Sequence, residues 1–207
     1  MEADSKKELD KSESSERIKK LKEYVNHLTI DHEKEIIKEP TLKDAHIYCV
    51  IHKIPSQQYG LLLEKYIIYS YDLTKNSASK CVGDCICHGE NMEIKASLGG
   101  STHNKFNFVQ IRLSQNIQTY LFTAFYLTKE NVESEGELYL FRIPKKELKE
   151  LIVKYGGYAH GTFKENGKIT MKSLDDEKNK KEYSLRPKIH DPCWTSLMKF
   201  RITDNQL

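Results

Sequence analysis

The chain has 207 residues, with 33 Lys plus Arg against 30 Asp plus Glu and a net charge of only +3. That length suffices for one domain with a proper hydrophobic core, and the charge balance excludes a strongly basic, nonspecific binder of nucleic acid. An odd count of 5 cysteines, with no secretory signal and no long apolar run, points to a soluble protein in a reducing, cytoplasmic setting.

Residues 1–16 are nearly all charged or small and read as a flexible segment, leaving 17–207 as a single domain. Ile18, Leu21, Val25 and Leu28 recur at spacings of three and four. They predict an amphipathic helix over 17–37, whose apolar face docks on the domain or on a second subunit. Pro40 and Pro55 break the next stretch, in which 46–51 reads as a short strand or a buried helix. Residues 57–67 read as a helix. Leu61, Leu62, Lys65, Ile68 and Tyr69 form one face, and Glu64 lies one turn before Ile68.

Segment 83–95 reads as a hairpin, with Cys85-Ile86-Cys87 closing one strand and Met92-Glu93-Ile94 opening the other. His88 to Asn91 form the turn, where Gly89 is free to take positive φ. Cys87 then faces Met92, Ile86 faces Glu93 and Asp84 faces Lys95. Opposed residues share a face and side chains alternate with period two, so Asp84, Glu93 and Lys95 emerge together. A slip of one residue scatters them. Cys81, Cys85, Cys87 and His88 lie within eight residues, but no distant cysteine pair completes a zinc site. Cys85 and Cys87 fall on the face opposite Asp84 and read as small buried hydrophobes.

Further along, 106–113 alternates in its second half and reads as a strand or a short helix lining a cleft. Residues 120–127 are the most apolar run, the length of a central strand buried on both faces. Residues 137–143 form another strand. Residues 144–155 form a helix with Pro144 in its first turn, apolar Leu148, Leu151 and Ile152, and Gly156-Gly157 as the stop. The order predicts an α/β (α+β) domain, a mixed central sheet flanked by helices. In the C-terminal third, 156–162 reads as a glycine-rich loop, and Lys164 and Lys168 flank a turn at Asn166-Gly167. A basic stretch from Lys172 to Lys188 is broken by Asp175, Asp176 and Glu177. Trp194, the only tryptophan, reads as core packing.

Two carboxylates and an ammonium on one face are costly in a core and useful around a hard cation. Mg²⁺ prefers oxygen ligands, and one or two such ions held by Asp84 and Glu93 suit phosphodiester hydrolysis. Lys95 would orient or deprotonate the attacking water, or neutralise charge on the transition state.

Asp84, followed after a short hairpin by Glu93-Ile94-Lys95, resembles the PD-(D/E)xK nuclease motif, and most closely that of type II restriction endonucleases. Val82-Gly83 stands where this family often has a proline. Segment 57–67 resembles the helix that precedes the first motif strand in many of these enzymes, with Glu64 in the place of its metal-facing glutamate. Segment 99–112 is similar to the region that follows the catalytic strand in some of them. The resemblance implies a restriction-endonuclease-like core over about 57–155, a DNA-contacting region over about 156–207, Mg²⁺ as cofactor, double-stranded DNA as substrate and a homodimer. It implies Asp84, Glu93 and Glu64 as metal ligands and Lys95 as the catalytic base or charge stabiliser. Candidates for DNA contact are His103, Asn104, Lys105, Asn107, Gln110, Arg112, His160, Lys164 and Arg186, since Arg reads guanine and Asn or Gln reads adenine. Other readings are a repair or recombination nuclease of the same fold, a nucleic-acid-binding module that does not cut, and a zinc-stabilised interaction protein.

Overall fold

The structure, a computed structural model, describes residues 51–77, 82–100, 104–128, 131, 134, 136–176 and 178–203. The expected flexible segment 1–16 and helix 17–37 lie outside the described residues, as do Cys81 and His103. Of segment 46–51 only Ile51 is described, helical and buried.

The elements run α1 (Ser56–Ser70), β1 (Thr74–Lys75), β2 (Cys85–Cys87), β3 (Glu90–Gly99), β4 (Phe108–Ile111), β5 (Thr119–Tyr126) and β6 (Glu137–Pro144). There follow α2 (Lys145–Tyr155), β7 (Gly157–Tyr158), α3 (Phe163–Asn166), α4 (Met171–Asp175), β8 (Tyr183–Leu185), α5 (Pro192–Leu197) and, after a short 3-10 turn, β9 (Arg201–Ile202). Six strands form a mixed sheet in the order β1-β2-β3-β5-β6-β9, and three form a smaller sheet in the order β4-β8-β7. The expected α+β class, a mixed sheet flanked by helices, is therefore what the chain adopts. Among the described residues no helix is long and apolar enough to cross a membrane.

The large sheet is organised around β5, which pairs in parallel with β3 on one side and antiparallel with β6 on the other. Seven of its eight residues are buried, as its unbroken apolar sequence requires. Period-two alternation sends Leu121 and Phe125 into a core beneath α1, where Tyr59, Leu63, Tyr66 and Ile67 meet Cys85, Cys87, Met92 and Ile94. Tyr120, Phe122 and Ala124 point the other way, into a second core with Phe141, Ile143 and the α2 residues Leu148, Leu151 and Ile152. Trp194 is 4% exposed in this second core. Its ring stacks on Phe106 at 5.1 Å and meets Tyr139 and Phe141 edge-on at 4.9 and 5.3 Å. The tryptophan is thus a packing residue.

Two sequence readings need correction. The β2–β3 turn has two residues rather than four: Cys85 pairs with Met92, Ile86 with Asn91 and Cys87 with Glu90. His88 and Gly89 both take positive φ, 50° and 80°, as a two-residue turn matched to strand twist requires. A sequence reading grants that conformation to glycine and not to histidine, which displaces the register by two residues. Segment 156–162 is not wholly loop, because Gly157 and Tyr158 pair with Ser184 and Tyr183. Of the two readings left open for 106–113, the strand holds over Phe108–Ile111, and it belongs to the smaller sheet.

Gly83 fixes the approach to Asp84. It has φ +85°, and a Cβ there would lie 2.6 Å from the Met92 carbonyl oxygen. Gly83→Ala is expected to lower stability by about 2 kcal/mol or more in urea denaturation, because it combines left-handed backbone strain with a clash against backbone.

Candidate active site

Because the register error is an even number of residues, it leaves the faces unchanged. Glu93 lies beside Tyr120 and Lys95 beside Phe122 in the parallel pair with β5, so both side chains emerge on the second-core face. Glu93 is 8% exposed and accepts a hydrogen bond from Lys95 Nζ at 2.6 Å. Ser97, two residues on and 7% exposed, accepts from the Asn107 N–H at 2.8 Å and ties the start of the β4 segment to the same face.

Asp84 sits just before β2 at the point where strand pairing stops. Its N–H donates to the Met92 carbonyl at 2.9 Å, and its Oδ2 accepts from the Ile94 N–H at 2.7 Å. A side-chain carboxylate thus takes the place of the next backbone partner. Beyond it the even-numbered residues of β3, Ala96 and Leu98, turn their backbone groups away from β5 toward a side where no strand pairs among the described residues. A cleft of about 590 Å³ opens along this edge, with Glu64 of α1 on one wall, Asn107 and Gln110 on the other, and Lys95 between.

The electrostatics are those of crowded carboxylates. Burial, and next the negative charge of Glu93, push the Asp84 carboxyl up to about 7. The Ile94 N–H pulls it down, Glu64 pushes it up, and Lys95 offsets only part of the rise. Glu64 itself lies 3.5 Å from Lys75 Nζ. The donor set is all oxygen and carries excess negative charge, which fits a hard divalent cation such as Mg²⁺. Among the described residues, no three His, Cys, Asp or Glu side chains already converge as a closed metal cage. Zinc has less to recommend it. Cys85 and Cys87 are buried behind the sheet, and burial pushes the Cys85 thiol up to about 12, far from the thiolate that zinc requires.

The DNA-contact candidates divide. Asn107 and Gln110 line the cleft with Lys95 and Glu64. Asn107 Oδ1 accepts from Arg186 Nε at 2.9 Å, which brings Arg186 to the same wall. Arg112 and His160 meet instead at Glu182, at 2.7 and 3.4 Å. The Arg112 hydrogen bond holds the Glu182 carboxyl below the usual carboxylate range. Asn104 and Lys105 are exposed and run beside the 188–189 segment, with Lys105 bridged to Lys188. Lys164 is on α3, away from the cleft, in a hollow with Phe163, Lys168 and Val153. Two cleft residues escape sequence reasoning. His52 donates through Nε2 to the Leu127 carbonyl at 2.8 Å, and burial lowers its pKa. Ser97 is the other, and only its alternation with Glu93 and Lys95 signals it.

The raised Asp84 value sets a pH dependence. Its folded pKa of about 7 lies above an unfolded value of about 4, so the stability it contributes is present below pH 4 and lost as pH rises through 7. In EDTA at pH 8, Asp84→Asn is expected to be more stable than wild type by about 1–3 kcal/mol, a difference that closes below pH 4. Thermal melts across pH check this, and equal melting temperatures at pH 8 contradict it.

Compared with known proteins, the chain matches no family model and no curated sequence.

Proposed function

We propose that this chain is a Mg²⁺-dependent endonuclease that hydrolyses double-stranded DNA at a short specific site, in the manner of type II restriction enzymes, as a homodimer. The carrying observation is the gathering of Asp84, Glu93 and Lys95 along β3, beside a cleft that Lys95 and Glu64 line. A carboxylate pressed by two others lowers stability in the empty protein, and a bound cation relieves it. Asp84 and Glu93 would hold the ion, and Glu64 would support it or hold a second. Bound there, Mg²⁺ supplies Lewis-acid activation of the phosphate and of the attacking water.

The chain's own groups do the rest. The Ile94 N–H fixes the direction of the Asp84 carboxylate. Lys95 Nζ, held against Glu93, stands where it would neutralise charge building on the phosphate or guide the attacking water. Basic side chains around the cleft, Arg186 among them, would contact phosphates and set the duplex in register. Twofold symmetry would give each strand of a palindromic site its own catalytic centre.

The burial of the Glu93–Lys95 pair favours one other reading, a structural ion pair in a protein that binds nucleic acid without cutting it. Cleavage separates the two. Purified protein incubated with unmethylated plasmid and phage DNA is expected to give discrete bands with Mg²⁺ and none with EDTA. Glu93→Gln and Lys95→Ala should each reduce cleavage by roughly 1000-fold or more while staying folded by circular dichroism. Uncut DNA under every condition would leave the binding module as the better account.

Cation binding has its own readout. Mg²⁺ or Mn²⁺ at about 100 times its dissociation constant should stabilise the wild-type fold by about 2.7 kcal/mol, a rise of several degrees in melting temperature. Asp84→Asn and Glu93→Gln should show little or none of this rise.

A further inference from the structure

We propose that Gln110 is a specificity-determining residue that reads an adenine edge beside the reacting phosphate, an assignment that rests on the endonuclease reading above. It begins with a backbone irregularity. Phe108 pairs with Leu185 and Ile111 with Tyr183, so β4 carries one more residue than β8 across the same span. Such a bulge bends its strand and re-aims a side chain. Gln110 takes up the extra length with φ +54°. Among the described residues, the other non-glycine residues with positive φ are Asp72, His88, Asn104 and His190, all of types that tolerate the left-handed region. Glutamine is not of that kind, and glycine would adopt the bulge without strain. The chain keeps a long polar side chain where the backbone favours none, a pattern found where strain serves a site.

The bulge puts that side chain to use. Gln110 is exposed and lines the cleft with Lys95 and Glu64. Its polar neighbours are committed elsewhere: Asn107 accepts from Arg186, and Arg112 donates to Glu182. The Gln110 carboxamide makes no hydrogen bond among the described residues. It offers a donor and an acceptor side by side, the complement of adenine N7 and N6 in the major groove.

The test digests a random-sequence duplex library with full-length wild type, Gln110→Gly and Gln110→Glu in Mg²⁺, sequences the ends, and measures each melting temperature. Gln110→Gly should melt higher than wild type, its backbone relieved, yet lose discrimination at one A·T pair by roughly 10-fold or more while other positions keep theirs. Gln110→Glu keeps the backbone and volume but offers only acceptors, so preference at that pair should move toward cytosine. Unchanged end sequences in both variants, beside a wild type that selects a site, overturn the assignment and leave the endonuclease reading standing. A wild type that yields no Mg²⁺-dependent ends overturns both.

Discussion

The hydrogen bond from the Ile94 N–H to Asp84 Oδ2 sets the character of this fold's central edge. Strand β3 needs a partner for every inward-turned backbone group, and β2 supplies them only as far as Met92. Had β2 continued in register, the edge would have closed and there would be no cleft. A carboxylate ends the ladder instead. It satisfies one N–H, ends the pairing, and places a charge beside Ile94 at the point where the edge opens. The price is a raised Asp84 pKa, from its burial first and then from the charges of Glu93 and Glu64.

Unfavourable placements concentrate around that opening. Asp84 is crowded by like charge, Glu93 is nearly buried with Lys95 bonded to it, and Gln110 holds a left-handed backbone. Away from the cleft the packing is conventional, with two apolar cores on either face of β5 and a tryptophan at the centre of an aromatic cluster. The cores provide the surplus that lets the edge be unfavourable, the usual division between scaffold and site.

What the sequence disclosed follows the range of the forces involved. Alternation and helical spacing are local, so α1, β5, β6 and α2 were legible close to their observed bounds. The shared face of Glu93 and Lys95 was legible from alternation along one strand, independent of the turn, which was misjudged through His88. The β7 strand was hidden because Gly157-Tyr158 has no strand pattern of its own and is defined by pairing with Tyr183 and Ser184. The fate of the basic residues was hidden for the same reason. Arg112 is claimed by Glu182, and Asn107 by Arg186, across sequence separations that no local pattern encodes. The cleft residue His52 carried no signal, since its ring is placed by the distant Leu127 carbonyl.

The pairing of β4 with β8 also imposes an order in time. The Asp84–Glu93–Lys95 group is complete once α1 and β1 through β5 have been made. The wall bearing Asn107 and Gln110 takes its shape from Tyr183, Leu185 and Arg186, which leave the ribosome about 60 residues later. A nascent chain therefore acquires the charged group well before the wall that faces it. Closing the small sheet is the step that joins the two, and it waits for residues 183–186.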